Sequence, residues 1–252
     1  MIQRMVTSAL FAGVAAGLFA ALLHFAFVQK QILLGEQYET GALTHFASGS
    51  DPADAVAPVH PAHDQTDPAA PAVAEAHAGH NGAGGEPSNT TRNAFTVLFT
   101  CLVYVAYGLI LLAGIALAEH YGKRVTAREG LLWGLAGFVA FQLMPAMGLA
   151  PELPGTIAAE LHLRQIWWWG TVGATAGGLA LLAYGKGVVP VVLALALLAA
   201  PHIIGAPQAE QFWGVAPPEL AATFAARVLG VGCAVWALLG WLAGRFWSGK
   251  VA

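Results

Sequence analysis

Long apolar stretches alternate with short polar connections along most of this chain. Six stretches approach or exceed the roughly 20 apolar residues that a helix needs to cross a hydrocarbon core of about 30 Å. The pattern therefore predicts an all-α bundle of six membrane-spanning helices, over residues 5–28, 95–118, 131–149, 166–184, 188–204 and 221–243. The fifth stretch is short and contains Pro190 and Pro201. Five spans, with the fifth stretch re-entrant, are the alternative that the pattern leaves open.

The first stretch follows Arg4 and resembles a signal peptide. It is longer than the apolar core of such a peptide, and no A-x-A cleavage motif ends it, so we expect a retained anchor. Within the spans, small residues recur at the G-x-x-x-G spacing that lets helices approach closely, which we interpret as bundle packing. The pairs are Gly13/Gly17, Gly130/Gly134, Gly173/Gly177 and Gly240/Gly244.

One long polar segment, residues 47–92, interrupts the apolar pattern. It is rich in Ala, Pro, Gly, Ser, Asp and His and poor in large apolar side chains, so it cannot bury enough surface to offset its ordering entropy. We expect a flexible tether. The chain then divides into a first helix with its outer segment (1–46), the tether (47–92) and the main bundle (93–252).

Composition supports the membrane assignment, because 57% of the 252 residues are hydrophobic and only 10% are charged. A soluble domain normally has about a quarter of its residues charged. The net charge of -3 and the absence of a basic cluster do not indicate nucleic-acid binding. Cys101 and Cys233 lie in apolar stretches and are interpreted as packing residues.

Lysine and arginine are retained preferentially on the cytoplasmic side of a membrane. With six spans and a cytoplasmic N-terminus, three of these residues fall outside: Lys30, Arg92 and Arg164. Seven fall inside: Arg4, Lys123, Arg124, Arg128, Lys186, Arg245 and Lys250. This distribution predicts cytoplasmic termini and a periplasmic tether in a bacterial inner (plasma) membrane.

The tether contains two H-x-x-H pairs, His60 with His63 and His77 with His80. Neutral imidazole is a good ligand for cobalt, nickel, copper and zinc, and an H-x-x-H pair can place two rings on one ion if the backbone turns. Nearby carboxylates, Asp64, Asp67, Glu75 and Glu86, add oxygen donors. The pattern favours metal capture, and a solvated spacer is the alternative.

Further candidate ligands lie in or near the bundle. His24 approaches the outer end of the first span, and Glu36 and Glu39 follow in the segment QKQILLGEQYE, so we expect all three near one outer vestibule. His202 lies in PHIIGAP, between two prolines, where a broken helix is expected to line a cavity. The alternative for each histidine is a hydrogen-bonded packing residue.

Arg227 lies inside the sixth stretch, about two turns after Glu219. A charge there is costly unless it is paired or reaches water, so Glu152, Glu160 and Glu219 are candidate partners, and snorkelling to the outer interface is the alternative. Gln142, in the middle of a span, also needs a partner. The sequence contains no G-x-S-x-G, Walker A, H-E-x-x-H or dinucleotide-binding motif in context, so we expect neither an enzyme nor a nucleotide site.

Several segments together resemble the CbtA family of proposed bacterial cobalt transporter subunits. The matching segments are GEQYE after the first span, the histidine-bearing outer loop, MGLAPELPG, LRQIWWWGTVGATAGGLALL, PHIIGAP and PPELAATFAARVLG. The resemblance implies about five spans, a small single-span partner of the CbtB type and a link to cobalt supply for cobalamin synthesis. It also points, without assigned roles, to Glu36, Glu39, Glu152, Arg164, Gln165 and His202.

These observations predict a transporter subunit for a divalent metal ion, with Co²⁺ as the leading cargo and Ni²⁺ or Zn²⁺ as alternatives, since nitrogen and oxygen donors suit all three. The tether would capture the ion and the bundle would pass it inward. Two other hypotheses remain. One is a haem or electron-transfer subunit using His24, His120 or His202 as axial ligands, and the other is a scaffold for another metal permease. Homo-oligomers are compatible with all three.

Overall fold

A computed structural model describes residues 2–45, 88–211 and 213–249. The four tether histidines, His60, His63, His77 and His80, lie outside the described residues, so their role stays a prediction. The described chain forms six helices and no strand, which confirms the all-α class. The helices are α1 (Ile2–Glu39), α2 (Asn89–His120), α3 (Ala127–Ala146), α4 (Leu161–Tyr184), α5 (Val188–Ile204) and α6 (Pro218–Ser248).

The end of α1 and the start of α2 lie side by side. Gln29 Nε2 donates to Asn93 Oδ1 at 3.1 Å, and Arg92 pairs with Glu36. We call this the loop end of the bundle, because residues 46–87 connect the two helices there. The α1–α2 pair is antiparallel and close, since Gly13 faces the backbone of Val105.

Five of the six helices, all except α5, are long and apolar enough to cross a membrane. Helix α5 has only 17 residues, about 25 Å of helix. It nevertheless ends at the loop end, where the Trp167 Nε1 near the start of α4 donates to the Pro201 carbonyl at 3.1 Å. Helix α6 begins there too, because Phe224 packs with Val28 and Leu153. The six described helices thus alternate in direction along the chain, and one of them is short.

Helices α3 and α6 cross antiparallel along a line of glycines. A Cβ atom at Gly134 would lie 2.8 Å from the Cα of Gly240, and one at Gly130 would lie 2.8 Å from the Cα of Gly244. Real Cβ atoms do not approach other atoms so closely, so only glycine allows this contact. The packing interpretation is confirmed here but not at Gly173, where an added Cβ would meet no atom of the described residues within 4 Å.

The sequence around α3 explains where that helix begins. Thr126 Oγ1 accepts from the Glu129 N–H and the Glu129 carboxylate accepts from the Thr126 N–H, forming a capping box. The core lies where α1, α2, α3 and α6 meet, around the fully buried Leu112, Trp236 and Leu239.

Charge separates the two ends of the bundle. By helix direction, the end opposite the tether holds six of the seven cations that the sequence places inside: Arg4, Lys123, Arg124, Arg128, Lys186 and Arg245. The remaining cation, Lys250, lies outside the described residues. These cations therefore lie at one end of the bundle, as the distribution of lysine and arginine in the sequence predicts. Which end faces the cytoplasm stays a prediction.

Candidate functional site

A cavity of about 380 Å³ lies near the loop end, between the second half of α3, the 147–160 connection, the start of α4 and the middle of α6. Its walls are mainly apolar and aromatic, from residues such as Phe141, Trp168 and Trp169. Four polar side chains also line it: Gln142, Glu152, Arg164 and Gln165. We refer to it as the loop-end cavity.

Glu152 and Arg164 form an ion pair at the edge of this cavity. Arg164 Nη2 donates to Glu152 Oε2 at 3.0 Å, and the two side chains are 28% and 33% exposed. An ion pair with this much solvent contributes at most about 1 kcal/mol to stability. The pair matters more as a local dipole of opposite charges than as a structural link. Among the described residues that line the cavity, Glu152 is the one carboxylate.

Two segments with different local structure, one irregular and one helical, build this site. The P-E-L-P-G segment supplies Glu152 from an irregular connection, and the R-Q-x-W-W segment supplies Arg164 and Gln165 from the first turn of α4. Trp168 follows Arg164 by four residues, so both project from the same helix face. The structure thus brings together three of the six residues that the family resemblance indicated.

Gln142 joins the same cavity from α3. It lies in a π-helical turn, Val139–Leu143, and π turns in α-helices occur often at functional sites. Its Oε1 atom is buried and has no hydrogen-bond partner among the described residues. Helix α6 leaves room for the amide with Gly232, where any Cβ would collide with it. The sequence indicated that Gln142 needs a partner, but not that it lines the same cavity as Glu152.

His24, Glu36 and Glu39 lie along α1 rather than around one point. Twelve residues separate His24 from Glu36, which is about 18 Å of helix, so the two cannot bind one ion together. Glu36 accepts from Arg92 Nη2 at 2.8 Å and from Arg92 Nη1 at 3.3 Å. Among the described residues, no three His, Cys, Asp or Glu side chains lie close enough to hold a metal ion.

His202 occupies a different position from the one expected. Helix α5 continues through Pro201 to Ile204 and ends at Gly205, whose φ is +87°, so the expected break at His202 is wrong. The His202 ring lies 6.1 Å from the Trp167 ring, and its Nε2 atom is buried without a partner among the described residues.

Arg227 is held by α1 and not by a glutamate. Its Nη1 donates to the Phe27 carbonyl at 3.1 Å. With the Gln31 amide oriented to satisfy both groups, Gln31 accepts from Arg227 Nε at 3.1 Å and donates to the Val28 carbonyl at 3.2 Å. The cause is a second π-helical turn, His24–Val28, whose wider spacing leaves carbonyls available.

The expected partners of Arg227 were therefore wrong. Glu152 pairs with Arg164, and Glu219 is exposed in the first turn of α6. A periodicity of apolar residues carries no signal for a π turn, so sequence reasoning had no means of finding this contact.

The histidines proposed as haem ligands are also dispersed. In the described chain, α1 and α5, which carry His24 and His202, do not contact each other. His120 ends α2 at the opposite end of the bundle. His24 and His120 lie on packed helices but at different depths, so no two of these three histidines face each other at one depth, which a two-histidine haem site would require.

The fold and cavity define a polytopic helical membrane protein with a mainly apolar pocket, lined by four polar side chains, near one end of its bundle. Comparison with family models then identifies the particular family. A model described as "Probable cobalt transporter subunit (CbtA)" matches residues 2–248, and the chain belongs to that family. A comparison with curated proteins found no match, and neither did a comparison with solved structures.

Proposed function

We propose that this chain is the membrane subunit through which a divalent transition-metal ion enters the cell, with Co²⁺ as the first cargo and Ni²⁺ or Zn²⁺ as alternatives. The observation that carries the proposal is membership of the CbtA family over nearly the whole chain. The ion is the transported cargo and not a resident cofactor.

The loop-end cavity supports this role through its size. A water molecule occupies about 30 Å³ in the liquid, so an ion with six waters needs roughly 180 Å³. The cavity volume of about 380 Å³ accommodates such an ion without dehydration.

The donors in the cavity suit transient binding. One carboxylate, Glu152, and two amides, Gln142 and Gln165, offer oxygen atoms to the water shell of an ion. A permeating ion has to be bound weakly enough to leave again. A site of this kind is consistent with the lack of a three-ligand cluster among the described residues.

The charge of the loop end also favours cations. Six glutamates lie there, in α1, the two connections and the start of α6: Glu36, Glu39, Glu152, Glu160, Glu210 and Glu219. Four cations accompany them: Lys30, Arg92, Arg164 and Arg227. An excess of negative charge around a cavity raises the local concentration of positive ions.

In this proposal the tether captures the metal. Its four histidines would hold ions close to the loop end and so raise the effective concentration at the cavity. Further parts of the proposal are a periplasmic tether, cytoplasmic termini, a small CbtB-like partner and a supply of cobalt for cobalamin synthesis. The description of the family as a subunit supports the partner.

The test is metal uptake in a cobalt-limited bacterial strain that expresses the chain with and without the small partner, comparing Co²⁺, Ni²⁺ and Zn²⁺. We expect accumulation of Co²⁺ that depends on this chain. Membrane-inserted protein that produces no accumulation of any of the three ions would reject the proposal. Purified chain that transports the ion in liposomes would reject the scaffold hypothesis, and a Soret band would favour haem.

A further inference from the structure

A second cavity, of about 670 Å³, lies toward the opposite end of the bundle between α2, α3 and α4. Its mouth carries Lys123, Arg124 and Glu129, close to where α3 begins. Its inner part is apolar and reaches Ala140 and Trp236. We refer to it as the opposite-end cavity.

One side chain lines both cavities at the point where they approach each other. Phe141 forms part of the wall of the loop-end cavity and part of the wall of the opposite-end cavity. Its ring stacks on Trp236, with centroids 5.7 Å apart and planes 22° apart. Edge contacts with Trp168 at 5.9 Å and Tyr107 at 5.4 Å complete an aromatic layer. Among the described lining residues, Phe141 is thus the one that the two cavities share, and this aromatic layer packs around it.

The backbone under Phe141 is suited to movement. Phe141 lies within the π-helical turn Val139–Leu143, and Pro145 follows two residues after that turn. A π turn contains one residue more than an α turn, and moving it along the helix rotates the intervening side chains without unfolding the helix.

Two buried polar atoms flank the aromatic layer. Gln142 lines the loop-end cavity with its Oε1 atom buried against Gly232 of α6, and Trp236 lines the opposite-end cavity. Neither Gln142 Oε1 nor Trp236 Nε1 has a hydrogen-bond partner among the described residues. Buried polar atoms without partners cost free energy, so their presence calls for an explanation. Both atoms would bind the water shell of an ion if the ring moved aside.

We propose that the two cavities are the two halves of one ion path and that Phe141 closes this path between them. The inference rests on the proposed function and specifies where the ion crosses the bundle. In the closed arrangement the ring stacks on Trp236 and excludes water. In the open arrangement a shift of the π turn removes the ring and connects the cavities.

Thiol accessibility tests this proposal without any transport. Cys101 and Cys233 are first replaced by alanine. A single new cysteine is then introduced, either Ala146→Cys in the loop-end cavity or Ala136→Cys in the opposite-end cavity. A membrane-impermeant cationic thiol reagent is then added from the loop side only. We expect reaction at position 146 and little reaction at position 136.

Phe141→Ala should raise the reaction rate at position 136 from the loop side by at least tenfold. The matched control is Phe138→Ala, a buried phenylalanine of the same helix that lines neither cavity. An unchanged rate in Phe141→Ala, or an equal rise in Phe138→Ala, would overturn the proposal. Phe141→Leu replaces Phe141→Ala if the alanine variant fails to insert into the membrane. For every variant, a second version with Ala146→Cys verifies insertion through its reaction with the reagent.

The outcome is separable from that of the proposed function. If accessibility depends on Phe141 while no metal accumulates, the path exists but carries another cargo. If Co²⁺ accumulates while the thiol reaction at position 136 does not depend on Phe141, the proposed function stands and the proposed closure by Phe141 is wrong.

Discussion

Neutralising Glu152 gives the sharpest test of the loop-end cavity. The Glu152–Arg164 pair has no net charge, so Glu152→Gln leaves the cavity with the positive charge of Arg164, and Arg164→Gln leaves it with the negative charge of Glu152. The two variants thus change the cavity charge in opposite directions while keeping similar side-chain shapes. Because the pair contributes at most about 1 kcal/mol to stability, both variants should fold.

The expected magnitude follows from Coulomb's law. Two unit charges 4 Å apart interact by about 1 kcal/mol in water, and a divalent ion doubles that figure. Screening by salt and the water shell of the ion reduce it, which leaves about 1–2 kcal/mol. We therefore expect Glu152→Gln to raise the half-saturating Co²⁺ concentration by roughly 5- to 30-fold. Arg164→Gln should leave it unchanged or lower it.

The assay is the initial rate of Co²⁺ uptake against concentration, in cells that also express the small partner, with membrane protein levels matched. Glu219→Gln is the matched control, because Glu219 is an exposed glutamate of the same end that does not line the cavity. The reasoning is refuted if Glu152→Gln saturates at the wild-type concentration. It is equally refuted if Glu219→Gln and Glu152→Gln weaken uptake by the same factor.

Three further predictions address packing, the contact of Arg227 with α1, and the tether. Gly240→Val should destabilise the bundle by about 1–3 kcal/mol in reversible unfolding in detergent, because its Cβ would lie 2.5 Å from the Cα of Gly134. Gly230→Val should leave the stability unchanged, because its Cβ would meet no atom of the described residues within 4 Å. Arg227→Met should cost about 1–3 kcal/mol in the same assay, since it leaves the buried Gln31 amide oxygen without its donor, and unchanged stability would contradict the contact. Replacing the four tether histidines by alanine should reduce uptake only at limiting Co²⁺. Below about pH 6, wild-type uptake should fall toward the level of this variant, because protonated imidazole cannot bind a metal ion. A wild-type advantage that persists at pH 5 would exclude imidazole capture.

The sequence predicted the helices better than their contacts. Hydropathy located all six, because a span must satisfy its backbone internally and exclude charge over about 20 residues. Helix α5 shows the limit of this signal, since its 17 residues fall short of a full span although its direction is that of a crossing helix. The glycine spacing was similarly ambiguous. The same motif forms a tight contact at Gly134 and none at Gly173.

The candidate site was predictable only in part. Glu152, Arg164 and Gln165 could be named from short segments that resemble the family, since each segment is local in the chain. Their meeting with Gln142 could not, because it depends on how α3, α4 and the 147–160 connection pack. The partner of Arg227 was mispredicted because a π turn changes which carbonyls are free, and one extra residue in a turn leaves no mark on apolar periodicity.

The sequence by itself determined that this chain is a helical membrane protein, that most of its cations lie toward one end, and that it resembles a family of cobalt transporter subunits. Those properties follow from transfer free energies and short motifs, which act residue by residue. Only the tertiary structure decided that two π turns face α6, that Glu152 and Gln142 share a cavity, and that Phe141 lies between two cavities. These arrangements arise from side-chain packing between helices distant in the chain, and such packing depends on many residues at once.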